Sequence, residues 1–102
     1  MLELYQAEWC PYSHRVRQRL TELGVDFVTR QVPADPPERD AMRERTGADE
    51  IPALVREGGE PLVGSDAILA WLNERYDERP DARRHRAKAR VDVPHFDEVA
   101  GG

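Results

Sequence analysis

LELYQAEWCPYSHRVRQRLTELGVDFVTRQV, residues 2–32, changes its hydrophobic period twice, and those two changes decide the fold. Leu2-Glu3-Leu4-Tyr5 alternates as a half-buried strand does, and a polar connection, Gln6 to Trp9, follows it. From Pro11 to Leu23 the apolar positions Val16, Leu20 and Leu23 step by four and three. Arginines at 15, 17 and 19 face away, and Gly24 supplies a helix stop. Val25 to Val32 is rich in β-branched residues and carries Phe27, which makes it a second strand. Pro33-Ala34-Asp35-Pro36-Pro37 then breaks any regular structure. Strand, helix, strand implies parallel pairing through a crossover.

Further along, Glu38 to Thr46 reads as a modest charged helix with Ala41 and Met42 as its apolar positions, ending at Gly47 and covering part of the sheet. Pro52 to Arg56, the turn Glu57-Gly58-Gly59-Glu60, and Pro61 to Val63 form a β-hairpin. Gly64-Ser65-Asp66 caps a last helix whose buried stripe is Ile68, Leu69, Leu72 and Tyr76. The expectation is an α/β chain in the order β-α-β-α-β-β-α with a four-stranded mixed sheet, the first two strands parallel and the last two a hairpin. Residues 1–78 make the domain. Residues 79–102 make a charged C-terminal extension in which Ala82 to Arg90 reads as an Arg-rich helix without an apolar stripe; the leading reading is a solvated, partly disordered extension, and the alternatives are a docking helix or a patch for an acidic partner.

One hundred and two residues suffice for one core, and 39% hydrophobic with 34% charged residues is the composition of a soluble globular domain. No apolar run approaches the roughly 18 residues that span a bilayer. The start at Met1 has none of the features of a signal peptide, so the expected location is the cytoplasm, with no membrane partner. A net charge of -5 argues against a nucleic-acid partner, which would need a basic face. The charge is unevenly placed: Arg79 to Arg90 holds six basic residues and one acid, whereas residues 1–78 hold nine and sixteen. A single cysteine, Cys10, excludes an intramolecular disulfide. A zinc site would have to draw on His14, His85 and His95, so no metal is expected.

A lone cysteine is often a small buried hydrophobe. Cys10, however, precedes Pro11, a residue suited to the first helical turn, and so stands at a helix N-terminus. Free N–H groups and the helix dipole there favour thiolate over thiol, and Arg15 adds to this if its side chain folds back. His14 is read as structural.

Cys10-Pro11-Tyr12-Ser13 resembles the glutaredoxin active-site motif Cys-Pro-Tyr-Cys with its second cysteine replaced by serine, and Ile51-Pro52 falls where that family has its cis-proline. Thr46-Gly47, the hairpin, and Gly64-Ser65-Asp66 recur in order in glutaredoxins and in the N-terminal domain of glutathione transferases; the likeness covers residues 1–76. This resemblance implies a thioredoxin-like fold and a glutathione site. Cys10 is then the attacking thiolate and Tyr12 a wall of the glutathione cleft. Ile51 pairs its backbone with the cysteinyl part, and Pro52 in cis turns that backbone towards Cys10. Ser65 and the helix N-terminus receive the γ-glutamyl carboxylate, Asp66 the α-ammonium, and Arg39 the glycyl carboxylate. The same residues also have plainer readings. Tyr12 can be an exposed aromatic, Pro52 a trans proline starting a strand, Ser65 and Asp66 a cap and a first-turn acid, and Arg39 a solvated helix charge.

Glutaredoxins often carry a lysine three residues before the active cysteine; here Ala7 and then Glu8 stand instead, which is expected to raise the thiol pKa and weaken activity. Ser13 removes the intramolecular route to a disulfide. The function implied is a monothiol glutaredoxin-like oxidoreductase, monomeric, that uses glutathione or another low-molecular-weight thiol as co-substrate and glutathionylated proteins as substrates. The alternatives are a glutathione-binding domain like that of the transferases, whose helical domain is not in this chain, and a non-catalytic scaffold for a [2Fe-2S] cluster.

Overall fold

The computed structural model describes residues 1–93, so the expected disorder of the last stretch, residues 94–102, lies outside the described residues. Four strands form one sheet in the order β2-β1-β3-β4. The central strand β1 (Leu2–Gln6) alternates, with Leu2, Leu4 and Gln6 buried. It pairs in parallel with β2 (Phe27–Gln31), Leu4 opposite Thr29, and antiparallel with β3 (Ala53–Val55), Leu4 opposite Leu54. The hairpin closes with β4 (Leu62–Val63), Ala53 opposite Val63. The mixed four-stranded sheet and the β-α-β-α-β-β-α order are those expected, and the fold is thioredoxin-like.

Helix α1 (Pro11–Leu23) lies on the Leu2, Leu4 and Leu54 face of the sheet, and α3 (Ser65–Arg75) packs beside it. Val16, Leu20 and Leu23 meet Ile68 and Leu72 there. Side chains of this kind each contribute on the order of 1.5 to 3 kcal/mol when fully buried. Gly24 ends α1 at φ 67, its N–H reaching back to the carbonyls of Leu20 and Thr21. Because the Val25 N–H also bonds Leu20, at 3.0 Å, that residue belongs to the helix exit, and β2 starts later than its β-branched run suggests.

Three expectations need correction. The second helix does not begin at Glu38. A short 3₁₀ turn (Pro36–Glu38) comes first, Arg39 departs from helical geometry at ψ 51, and α2 (Asp40–Thr46) follows, with Met42 its buried residue. The cap of α3 is Gly64, at φ 93, with no side chain bonding the free N–H groups, and Ser65 is the first helical residue. The charged extension also contains a docked helix, α4 (Ala82–Asp92), which packs on α1. As the sequence suggests, no apolar stripe holds it. Buried Ala82 and an ionic cluster do so instead: the carboxylate of buried Glu22 accepts from Arg19 and Arg86, both at 2.8 Å, and Glu78 binds the same two arginines. No described helix is long and apolar enough to cross a membrane.

Candidate functional site

β1 runs into a tight turn, in which the Cys10 N–H bonds the Ala7 carbonyl at 3.1 Å, and α1 starts at once. Cys10 is its N-cap residue, and Pro11 occupies the first turn, where a missing N–H costs nothing. The sulfur accepts the Ser13 N–H at 3.4 Å, so it occupies the place of the cap oxygen at an ordinary helix start. The thiol is 5% exposed. Burial pushes its pKa up, but the Ser13 hydroxyl, the N–H groups of Ser13 and Tyr12 and the charge of Arg17 together hold it below the ordinary cysteine value. Glu8, two residues before the cysteine, is paired at 3.0 Å with Arg17, the arginine whose charge acts on the sulfur. Arg15 does not fold back to the sulfur. It reaches across to α3, where Ser65 Oγ accepts at 3.3 Å and Asp66 Oδ1 at 2.9 Å.

Beside the cysteine opens a cleft of about 750 Å³. Tyr12, Arg39, Ile51, Pro52, Ser65 and Asp66 all line it, so six residues spread from α1 to α3 come together. Cys10 itself is buried and is not among the lining residues, whereas Trp9 and Tyr12, before and after it in the chain, line the cleft and are 65% and 61% exposed. The Ile51–Pro52 peptide is cis. The Pro52 carbonyl accepts the Gly64 N–H at 2.9 Å, which ties this corner to the start of α3. With glycine as the cap, the first N–H groups of α3 are left for whatever the cleft holds, and the helix dipole favours an anion there.

Arg39 lines the cleft in an unexpected state. It is 4% exposed, and its guanidinium donates to the carbonyls of Pro33 at 2.9 Å, Asp49 at 2.7 Å and Ala34 at 3.0 Å. The plain reading of a solvated helix charge does not hold; Arg39 clasps two loops, leaving one N–H on each terminal nitrogen. Trp9 and Arg17 were not singled out from the sequence. The adjacency of Trp9 to Cys10 was a usable signal, whereas nothing local set Arg17 apart from Arg15.

Chemically, the arrangement offers a cysteine at a helix N-terminus, its thiol pKa lowered, beside a cleft that also reaches the uncapped N-terminus of α3. The family profile described as "Glutathione S-transferase, N-terminal domain" matches residues 4–80. Glutaredoxin 3 of Escherichia coli (strain K12) is 32% identical over 69 residues, which cover 68% of this chain and 82% of that protein. A diazinon-metabolizing glutathione S-transferase of the silkworm Bombyx mori superposes with a TM-score of 0.65 at 33% identity, covering 74% of this chain and 38% of that one. A glutathione transferase family member from Pseudomonas fluorescens Pf-5, solved with bound glutathione, superposes with a TM-score of 0.68 at 26% identity, covering 86% and 47%. The chain spans less than half the length of these two transferases.

Proposed function

The chain belongs to the glutathione S-transferase N-terminal domain family and is glutaredoxin-like, and from that premise we propose that it is a monothiol, glutathione-dependent thiol-disulfide oxidoreductase that removes glutathione from protein mixed disulfides. The observation that carries the reading is Cys10 as the cap of α1, its thiol pKa held down, beside a cleft that ends at the open N-terminus of α3.

In the first step the Cys10 thiolate attacks the glutathione sulfur of the substrate. The bond between substrate sulfur and glutathione breaks, a Cys10–glutathione disulfide forms, and the substrate leaves as thiolate. A second glutathione thiolate then attacks that disulfide, giving glutathione disulfide and the Cys10 thiolate; the reducing electron pair enters with this second glutathione, the first having arrived already disulfide-bound to the substrate. Tyr12 walls the bound tripeptide, and the backbone of Ile51, presented by cis Pro52, pairs with its cysteinyl part. Ser65 and the first turn of α3 take the γ-glutamyl carboxylate, with Arg15 beside them, and Asp66 takes the α-ammonium. Arg39 offers its two remaining N–H groups to the glycyl carboxylate. A single free thiol of this kind suits the reducing cytoplasm.

Incubation with glutathione disulfide followed by intact-mass measurement tests the reading. One glutathione adduct is expected on the wild type and none on Cys10→Ser, with turnover on a glutathionylated peptide that requires free glutathione. Full activity of Cys10→Ser would remove the nucleophile. The match to the transferase profile favours a second reading, a glutathione-binding domain without redox turnover. Under that reading, glutathione binds to wild type and Cys10→Ser alike, and no adduct accumulates.

A further inference from the structure

We propose that Arg56, Arg75 and Trp71 form a second binding site, one for a phosphate group, separate from the thiol chemistry. A cavity of about 220 Å³ opens between the start of β1, the residues just past β3 and the C-terminal turn of α3, and it is lined by these three side chains together with Tyr76. It shares no lining residue with the cleft beside Cys10. Leu2, which begins β1, lines it, whereas Cys10 follows the other end of that strand. Both guanidinium carbons lie 5.2 Å from the centre of the Trp71 ring, and Tyr76 meets that ring edge-on. Two like charges thus share one indole, whose π-face offsets part of their repulsion.

Their counter-ion is missing. Residues 1–78 hold nine basic and sixteen acidic residues, and every other arginine of that stretch has a carboxylate partner or, for Arg39, three carbonyls. Among the described residues neither Arg56 nor Arg75 has a carboxylate, although Glu57 lines the same cavity; its carboxylate takes the Met1 amino group, at 2.9 Å, instead. Arg56 is nevertheless held in place. Its Nε donates to the Glu60 carbonyl at 3.2 Å, and its head lies against Gly59, where a Cβ would come within 2.7 Å of Cζ. Arg75 stands in the last turn of α3, where the helix dipole favours a cation, but that accounts for one arginine and not for a second brought from the hairpin. A guanidinium over a ring keeps its N–H donors in its own plane, so stacking orients the two forks without using them. Such forks match the oxygens of a phosphate, whose double charge answers theirs. The cavity is smaller than the roughly 300 Å³ at which pockets for larger organic ligands begin, so it suits the phosphate group itself.

The test is a titration of the full chain with inorganic phosphate at constant ionic strength, followed by NMR at the indole N–H signals of Trp71 and Trp9. The Trp71 signal should move and saturate while that of Trp9 stays. Arg56→Gln and Arg75→Gln should each weaken binding by about ten-fold, the effect of losing a charge-assisted hydrogen bond. Gly59→Ala keeps every charge and meets no left-handed backbone, yet its Cβ displaces the Arg56 head, so it should weaken binding as well. Arg83→Gln removes an exposed charge on α4 and should leave binding nearly unchanged. Glycerol phosphate, titrated in parallel, tells the source of the group: binding as tight as that of inorganic phosphate supports a monoester ligand, and weaker binding supports the free ion. A Trp71 signal that does not saturate, Trp71 and Trp9 moving alike, an Arg83→Gln effect equal to that of Arg75→Gln, or acetate binding as tightly as phosphate would each overturn the proposal.

Discussion

Arg39 shows how much a single side chain takes on from its surroundings. Three carbonyls, from Pro33, Ala34 and Asp49, converge on one guanidinium, and the planar fork meets them in three directions at once. Two of these carbonyls belong to the loop after β2 and the third to the segment leading to Pro52, so the residue joins two edges of the cleft. Arg39→Ala should lower stability by about 2 kcal/mol in urea unfolding, since it removes the three hydrogen bonds by which one buried guanidinium joins two loops, and should weaken glutathione binding as well. Arg39→Lys should recover less than half of that stability, because a single ammonium cannot span all three acceptors. A stability equal to the wild type in Arg39→Ala would mean that other contacts hold the loops. Asp66 is the opposite case: it is exposed and paired with Arg15 at 2.9 Å, and under the proposed function it meets the α-ammonium of glutathione.

Helix α1 divides its labour along its length. Its N-terminal half carries Cys10 at the cap, Ser13 in the first turn and Arg17 in the second, and its C-terminal turn carries Glu22 and the Gly24 stop. Between them the Val16 and Leu20 side chains are completely buried, which fixes the helix against the sheet and so fixes where the sulfur stands. Gly24 sits at φ 67, where an L side chain is strained, although the nearest atoms to an added Cβ would be those of Arg79 at 3.7 Å, an ordinary contact. Gly24→Ala should therefore cost about 1 kcal/mol through the backbone alone, with Gly24→Asn costing less. The alkylation rate of Cys10 should not change in either variant. A loss well above that figure would point to crowding against Arg79 rather than backbone conformation.

At the scale of the whole molecule, Cys10 sits at one end of α1 and Glu22, which holds Arg86 of the extension, at the other, and α1 at 13 residues is roughly 20 Å long. We propose that residues 79–102 are separable from the chemistry but not from the stability. Glu78, held by Arg86 and Arg19, has its carboxyl lowered to about 2 from an ordinary 4.5. The buried Glu22 carboxyl is pushed up by burial, yet Gln18, Arg19 and Arg86 bring it below its usual value. A carboxyl lowered by folding stabilises the fold fully above its unfolded pKa and loses that contribution as pH falls through the folded one. Cutting the chain after Asp77 should therefore lower the melting temperature by several degrees at neutral pH. The gap to the full chain should narrow as pH falls from 4.5 towards 2, and the Cys10 alkylation rate should stay within a small factor. Equal melting at every pH would remove α4 from the stability of the domain; a large change in alkylation would make it part of the site.

The order of elements, the limits of α1 and the station of Cys10 at its start were legible in the sequence because they rest on local physics. A period of two or of about 3.6, a proline in a first turn and a glycine at a helix exit act within a few residues of chain. The residues proposed for glutathione were legible through Cys10-Pro11-Tyr12-Ser13 and Ile51-Pro52, which resemble a family, rather than through any periodicity. Tertiary structure alone decided which arginine serves the sulfur, that Arg39 is clasped by carbonyls, that Gly64 rather than Ser65 caps α3, and that an arginine-rich helix docks without an apolar stripe. The reason is reach. Arg15 meets Asp66 across 51 positions of sequence and Arg86 meets Glu22 across 64. Long, flexible, charged side chains choose partners only after the backbone has brought distant segments within a few ångströms, and no pattern in the chain between them records that choice.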